Sequence, residues 1–419
     1  MAKSPASAPA QAQRGADRRN YLLVTGAYWA DTLVDGATRT LVLFYFDRLG
    51  YTPLQVASLF VLYEIAGIVT NLVGGWLAAR LGLKVTLFMG LAVQVFALAM
   101  LGLAPASLLV VPYVMVSQAL SGVAKDLTKM SSKSAVKLVV AENDESSLYR
   151  WVAILTGSKN ALKGIGFFLG GLLLELFGFR AALLALAGLV LIALLASSQQ
   201  IRGHLGRPDR TAKFTQMFSN NRAVNVLAAA RIFLFAARDV WFVVALPFFL
   251  YSALGWSFWQ VGTLLAVWVI GYGAVQAAAP RFIHAPDGRS ALWLALGLSA
   301  CPAAIAALLE ANVDPTLAIL GGLIPFGLVF AMNSAVHSYL ILAYAEEERV
   351  AMSVGFYYMA NAVGRLAGTV LSGLIYEWQG LTGCLWCAAV FVISAGLLSL
   401  LLPTGVSSTR SGTRIGLAS

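Results

Sequence analysis

Runs of twenty or more largely apolar residues recur along this chain from about residue 22 to residue 402. About 20 such residues, coiled as a helix, cross a hydrocarbon layer roughly 30 Å thick. A helix suits that layer because every backbone N–H and C=O then bonds within its own segment. The feature removes soluble globular folds from consideration. Hydrophobic residues make up 59% of the chain and charged residues only 11%, against roughly 25% charged in soluble domains. The pattern predicts an all-α membrane protein. The first six crossings are placed at 22–46, 54–79, 84–104, 106–126, 148–174 and 179–198. Six more are placed at 223–251, 257–280, 290–310, 315–342, 350–376 and 381–402.

This gives an expectation of 12 transmembrane helices in two six-helix bundles, 22–198 and 223–402, joined by a cytoplasmic linker at 199–222. Residues 1–21, rich in Ala, Ser, Pro, Gln and Arg, read as a disordered cytoplasmic tail, and 403–419 as a second cytoplasmic tail. No leading apolar core with a small-residue cleavage site is read in the first tail. Charge asymmetry supports the map. With both termini inside, the cytoplasmic segments hold 20 of the 29 lysines and arginines, and the opposite turns hold only Arg48 and Arg180. That is the positive-inside bias of a multi-pass protein, here assigned to the bacterial inner membrane. The net charge of +10 is thereby explained without a nucleic-acid partner, for which no recognition module is seen.

No HExxH, nucleophile elbow, Walker A sequence or metal-ligand cluster is present, so neither catalysis nor ATP-driven export is encoded. Cys384 and Cys387 form a CxxC within an apolar run and read as packing thiols. His204, His284 and His337 are scattered, and no metal or cofactor is expected. Two helical groups around a central path is a transporter design. The expectation is a carrier that works as a monomer among membrane lipids.

Seven basic residues fall inside the expected crossings, where an exposed charge costs several kcal/mol or more. Arg150 and Arg365 stand near enough to an interface to snorkel. The others need interior partners or a ligand. In "VTGAYWADTLVDGATR", Asp31, Asp35 and Arg39 share a helix side at four-residue steps. An Asp35–Arg39 ion pair and a titrating aspartate both stay open there; Asp31, Asp35 and Glu64 are the proton-coupling candidates. Lys159 and Lys163 stand four apart in a glycine-rich helix, and Arg231 and Arg238 two turns apart. Asn333, His337, Tyr358 and Asn361 add polar groups in later crossings. A site lined by Arg39, Lys159, Lys163, Arg231 and Arg238 favours a small polyanion, since guanidinium forks suit carboxylate and phosphate oxygens. The ladder "AKDLTKMSSKSAVK" places Lys125 and Lys129 at the cytoplasmic mouth of the path, with Lys133 and Lys137 continuing into the loop.

"GGWLAARLGLKVTLFMG" resembles the major facilitator superfamily signature between the second and third crossings. Gly75, Arg80, Gly82 and Lys84 stand in matching roles, while Ala79 replaces the usual acidic residue. Four longer stretches are similar to the organoarsenical efflux permeases, ArsJ: "VTGAYWADTLVDGATR", "YEIAGIVTNLVGGWLAARLG", "SGVAKDLTKMSSKSAVK" and "LYRWVAILTGSKNALKG". The resemblance implies export of 1-arseno-3-phosphoglycerate and arsenate resistance, in partnership with a glyceraldehyde-3-phosphate dehydrogenase that makes the compound. A cargo with hard oxygens suits a chain with only three cysteines. The residues by themselves reach only a small polyanion. An organophosphate or other small-anion exchanger, a broad-specificity drug exporter and a non-transporting sensor or scaffold are the rival readings.

Overall fold

A computed structural model describes residues 8–50, 59–140, 144–201, 205, 211, 213–346 and 349–403. Ten helices organise them: α1 (Ala8–Arg48), α2 (Val61–Leu81), α3 (Leu83–Gly102), α4 (Val111–Val139) and α5 (Glu145–Gln200), then α6 (Arg222–Ser252, with a turn at 243–244), α7 (Phe258–Ala278), α8 (Gly288–Glu310), α9 (Pro315–Tyr344) and α10 (Val350–Ser399). Several helices start on a side chain that accepts otherwise orphaned amide hydrogens. Asp144 accepts from Ser147, Asn221 from Ala223 and Val224, Asp287 from Ser290, and Asp314 from Leu317.

The expectation of twelve helices in two six-helix bundles is corrected. Among the described residues eight helices are long and apolar enough to cross a membrane. The two outside that number are α1, which carries Asp31, Asp35 and Arg39, and α4, which carries the lysine ladder. The anticipated breaks near 175–178 and 377–380 fall at kinks within α5 and α10, where two helical runs counted as one helix meet. Helix α5 runs 56 residues and α10 runs 50, each with one non-helical residue inside, Gly178 (φ 71°) and Gly380 (φ 63°). Those left-handed conformations favour glycine. A straight helix of α5's length would reach about 84 Å, so it must bend to remain in one bundle. Helix α1 begins at Ala8, inside the segment expected to be disordered. Residues 1–7 and 404–419 of the two tails lie outside the described residues, as does His204.

We call the end that carries Arg80, Lys84, Lys137, Arg281 and Arg349 the basic end. The N-terminal helices (α1–α5) and C-terminal helices (α6–α10) are joined tightly there. Lys137 donates to the Ala345 carbonyl at 2.7 Å, Tyr339 donates to Glu145 at 3.3 Å, and the Tyr149 and Tyr339 rings lie 5.2 Å apart. One buried apolar cluster runs continuously from α1–α5 into the basic-end halves of α9 and α10. A second cluster is confined to α6–α10. At the opposite end the polar ties among the described residues stay within one set of helices: Arg48 with Glu175, Arg180 with the Ala104 carbonyl, Trp386 with Glu310. The bundle is sealed at the basic end.

Two helix crossings make that seal. At α2 and α10, a side chain on Gly75 would meet the Ala351 carbonyl at 2.6 Å and the Gly355 Cα at 2.9 Å. At α5 and α7, one on Gly157 would meet the Gly273 carbonyl at 2.4 Å. Only bare backbones approach so closely, and dispersion over that contact is what holds apolar helices together in lipid.

Candidate functional site

Polar and charged side chains inside the bundle fall into two layers. Helix rise places them: Lys133 stands about 9 Å from the basic end of α4, Arg231 about 14 Å into α6, and Tyr357 about 10 Å into α10. These form the inner layer. Glu64, Lys163, Arg238 and Arg365 stand about 22–28 Å from that end and, with Arg39 bonded to Glu64, form the outer layer.

The outer layer is ionically paired. Asp35, almost fully buried, accepts from Tyr63 at 2.6 Å and pairs with Lys163 at 3.0 Å. Arg39 reaches Glu64 at 3.3 Å and stacks over Phe60 and Tyr63. The i, i+4 spacing of Asp35 and Arg39 left their pairing open, and α5 and α2 supply the nearer partners. Glu64 also binds Arg365 at 3.0 Å, and Arg365 reaches Asp239 at 3.5 Å. Asp239 holds Arg238 at 2.5 Å. A continuous chain of alternating charge, Arg39–Glu64–Arg365–Asp239–Arg238, therefore links α1 and α2 to α10 and α6. The Arg39, Glu64 and Arg365 side chains are 27–30% exposed, so this layer faces accessible space. Arg365 does not snorkel; Arg150 is exposed.

Lys125 donates to the Tyr63 hydroxyl at 2.7 Å. Asp31 is wholly buried; one oxygen meets Thr128 at 2.6 Å and the other has no partner. Lys159 lies between the layers. Among the described residues it has no hydrogen bond or carboxylate partner, and its charged neighbours are Lys163, Lys129, Lys125 and Lys133.

The inner layer is poorer in negative charge. Lys129 pairs with Asp126 at 2.6 Å, bonds Asn71 and stands 4.6 Å over the Tyr358 ring. Lys133, 3% exposed, bonds Thr156. Arg231, 2% exposed, donates to Asn361 at 3.0 Å and Ser334 at 3.2 Å and lies 5.0 Å over the Tyr357 ring. Among the described residues neither Lys133 nor Arg231 has a carboxylate partner. Asn333 and the Nδ1 of His337 are buried without hydrogen-bond partners. The lysine ladder is thus interior, because α4 continues to Val139. Lys125 and Lys129 are not at the bundle's mouth, and Lys133 is not in a loop. Sequence reasoning missed Lys133 and Asp126 as interior charges and assigned Arg365 to an interface. The unbroken i+4 spacing from Lys125 to Lys137 was the signal for the first.

The signature stretch lies at the basic end. Gly82 turns α2 into α3 with φ 88°, Lys84 donates to the Ile201 carbonyl at 2.9 Å, and Arg80 lies 5.3 Å over Trp76. Gly75 belongs to the seal described above. Among the described residues no group of three His, Cys, Asp or Glu side chains could hold a metal ion.

Counting both layers, nine basic side chains face five carboxylates inside a bundle of membrane-crossing helices. That composition, sealed at one end and charged along the axis, is that of a multi-pass membrane carrier. A profile of the Major Facilitator Superfamily matches residues 24–345, and the chain belongs to that superfamily. It is a transporter, not an enzyme, and works by alternating access. Comparison with curated proteins yields no match. Crystal structures share the fold. The human organic anion transporter MFSD10 (TETRAN) superposes with TM-score 0.72 at 14% identity, covering 91% of this chain and 99% of that one. A bacterial homologue of the iron transporter ferroportin, in an outward-facing state, gives 0.71 at 12%, covering 91% and 98%. The proton:xylose symporter XylE gives 0.68 at 12%, covering 91% and 95%.

Proposed function

We propose that this protein exports a small organic polyanion, and that the cargo is 1-arseno-3-phosphoglycerate. The carrying observation is the interior excess of nine basic over five acidic side chains, with Lys159 unpaired between the layers. An uncompensated charge out of water is strongly unfavourable, and an anionic cargo removes that penalty. With the basic end open, Lys159 of α5 and Arg231 of α6 take the cargo's anionic groups, one from each set of helices. Asn361, Tyr358, Asn333 and His337 complete the polar wall. Closing the seal carries cargo to the outer layer. Release lets Glu64 recombine with Arg39 and Arg365, and Asp35 with Lys163. The four stretches similar to the organoarsenical permeases supply the cargo's identity, and with it the partnership with a glyceraldehyde-3-phosphate dehydrogenase.

In this reading the basic end is cytoplasmic, both termini are inside the bacterial inner membrane, and the sealed form is the one that faces outward. The carrier acts as a monomer. Reconstituted protein should move enzymatically generated arsenophosphoglycerate and leave arsenite behind. Equal movement of 3-phosphoglycerate would establish a general organophosphate carrier. Movement of lipophilic cations without any anion flux would overturn the proposal.

A further inference from the structure

The two glycines that let α2 and α10 touch at the basic end are each followed by an aromatic residue, Trp76 after Gly75 and Phe356 after Gly355. Each of those rings carries a phenylalanine from the segment that precedes α6. Phe214 meets Trp76 edge to face at 5.5 Å, and Phe218 meets Phe356 in the same manner at 6.2 Å. Phe214 opens a single 3-10 turn, Phe214–Met217, and Phe218 follows it directly. One short turn therefore straddles the α2–α10 crossing, with a ring set on each of the two helices that make the seal. Joining the two sets of helices requires only that the chain reach α6; it asks for no aromatic grip on the seal.

The two ends of the turn are held differently. The Phe218 end is fixed to the C-terminal helices: Asn221 donates to the Tyr344 carbonyl of α9 at 3.1 Å, and Asn225 of α6 donates to the Ser219 carbonyl at 2.9 Å. Phe214 reaches the other set of helices through Trp76. The Arg80 guanidinium, one helical turn along α2, lies 5.3 Å over that same indole ring. Arg80, Trp76 and Phe214 thus form a stack that ties α2 to a segment carried by α6 and α9. An edge-to-face ring pair and a cation over an indole both remain attractive at a partly exposed site. When the basic end opens, α2 and α10 part, and one short turn cannot follow both. The Phe218 end stays with its own helices, so Phe214 must leave Trp76. We propose that the turn is a strap across the seal: Phe214 on Trp76 holds the sealed form, and its release is a step in opening the basic end. The segment between α5 and α6 then sets the balance between sealed and open carrier, whatever the identity of the cargo.

The test uses the purified full-length protein in detergent without cargo, so its outcome is independent of what the carrier exports. Spin labels are placed at Leu138 and Phe282, exposed residues near the basic end in the N- and C-terminal helices, with the three native cysteines replaced by alanine. Electron–electron double resonance then reads the sealed and open distances. Phe214 is 55% exposed, so Phe214→Ala leaves the packed interior intact. It should raise the ratio of open to sealed carrier roughly threefold to tenfold. Trp76→Ala should do the same, and adding Phe214→Ala to it should change nothing further, because both remove one contact. Phe96→Ala, an exposed aromatic residue on α3, should keep the wild-type distribution. An unchanged distribution in Phe214→Ala overturns the inference, as do effects of the two substitutions that multiply. If Trp76→Ala does not fold, Phe214→Lys replaces it and sets a cation beside Arg80; opening at least as large as in Phe214→Ala supports the strap, and a sealed distribution overturns it.

Discussion

Lys159 and Lys163 stand one helical turn apart on α5 and differ in what each would leave behind. Lys163 neutralises Asp35, which is 4% exposed and also bonded by Tyr63. Replacing Lys163 by Gln strands that carboxylate, and breaking a buried pair in this way costs about 3 kcal/mol. Lys163→Gln should therefore lower Tm and yield in membranes. Lys159 has no such partner among the described residues, so Lys159→Gln should melt no lower than the wild type while its apparent cargo affinity falls roughly tenfold, about 1.4 kcal/mol. Unfolding curves of both variants beside transport assays check the pair; a wild-type melt for Lys163→Gln would break the argument. Glu64→Gln belongs at this scale too. It frees Arg39 and Arg365, so anion binding should tighten while turnover slows, read as a split between KM and maximal rate. Which acid pairs with which base was not legible in the sequence. Local spacing allowed Asp35 to face Arg39, but Lys163 and Glu64 arrive through tertiary packing.

Helix α4 shows both the reach and the limit of sequence periodicity. Its four lysines at four-residue steps were legible as one helical face, but falling hydropathy after residue 126 read as the end of a crossing. The helix instead runs on to Val139, and its charges turn inward to Asp126, Asn71 and Thr156. At α5 and α10 the expected separations fall on single glycines, Gly178 and Gly380, whose left-handed backbone breaks the helical path. The crossing of α2 and α10 gives the prediction for elements. Gly75→Val places branched carbon against the Ala351 carbonyl and the Gly355 Cα, contacts that backbone cannot yield. The variant should insert normally but fail to seal, shifting its population toward the form open at the basic end. Distances between spin labels on α2 and α10 should lengthen and broaden. Gly297→Ala, where nothing lies within 4 Å, should leave the distribution unchanged.

For the whole molecule, charge distribution was the most legible property and also sets the direction of work. In the proposed orientation, twenty basic residues lie in the segments read as cytoplasmic, against two in the opposite turns. The interior excess of basic residues then favours anions along the path. Moving one net negative charge outward across a membrane that is negative inside is favoured by about 2.3 kcal/mol per 100 mV. If the paired carboxylates of the outer layer stay ionised through the cycle, that potential alone suffices to drive export. Everted vesicles turn export into uptake, with the basic end facing the medium. With no pH difference and an interior-positive potential set by valinomycin and potassium, cargo should accumulate about tenfold per net charge for each 60 mV. With the potential held at zero, an imposed pH difference should give no accumulation. The opposite pattern would assign the driving force to a proton and make Asp31, buried with one oxygen unpartnered, its first candidate carrier. Asp31→Asn would then abolish accumulation while leaving exchange of labelled for unlabelled cargo intact.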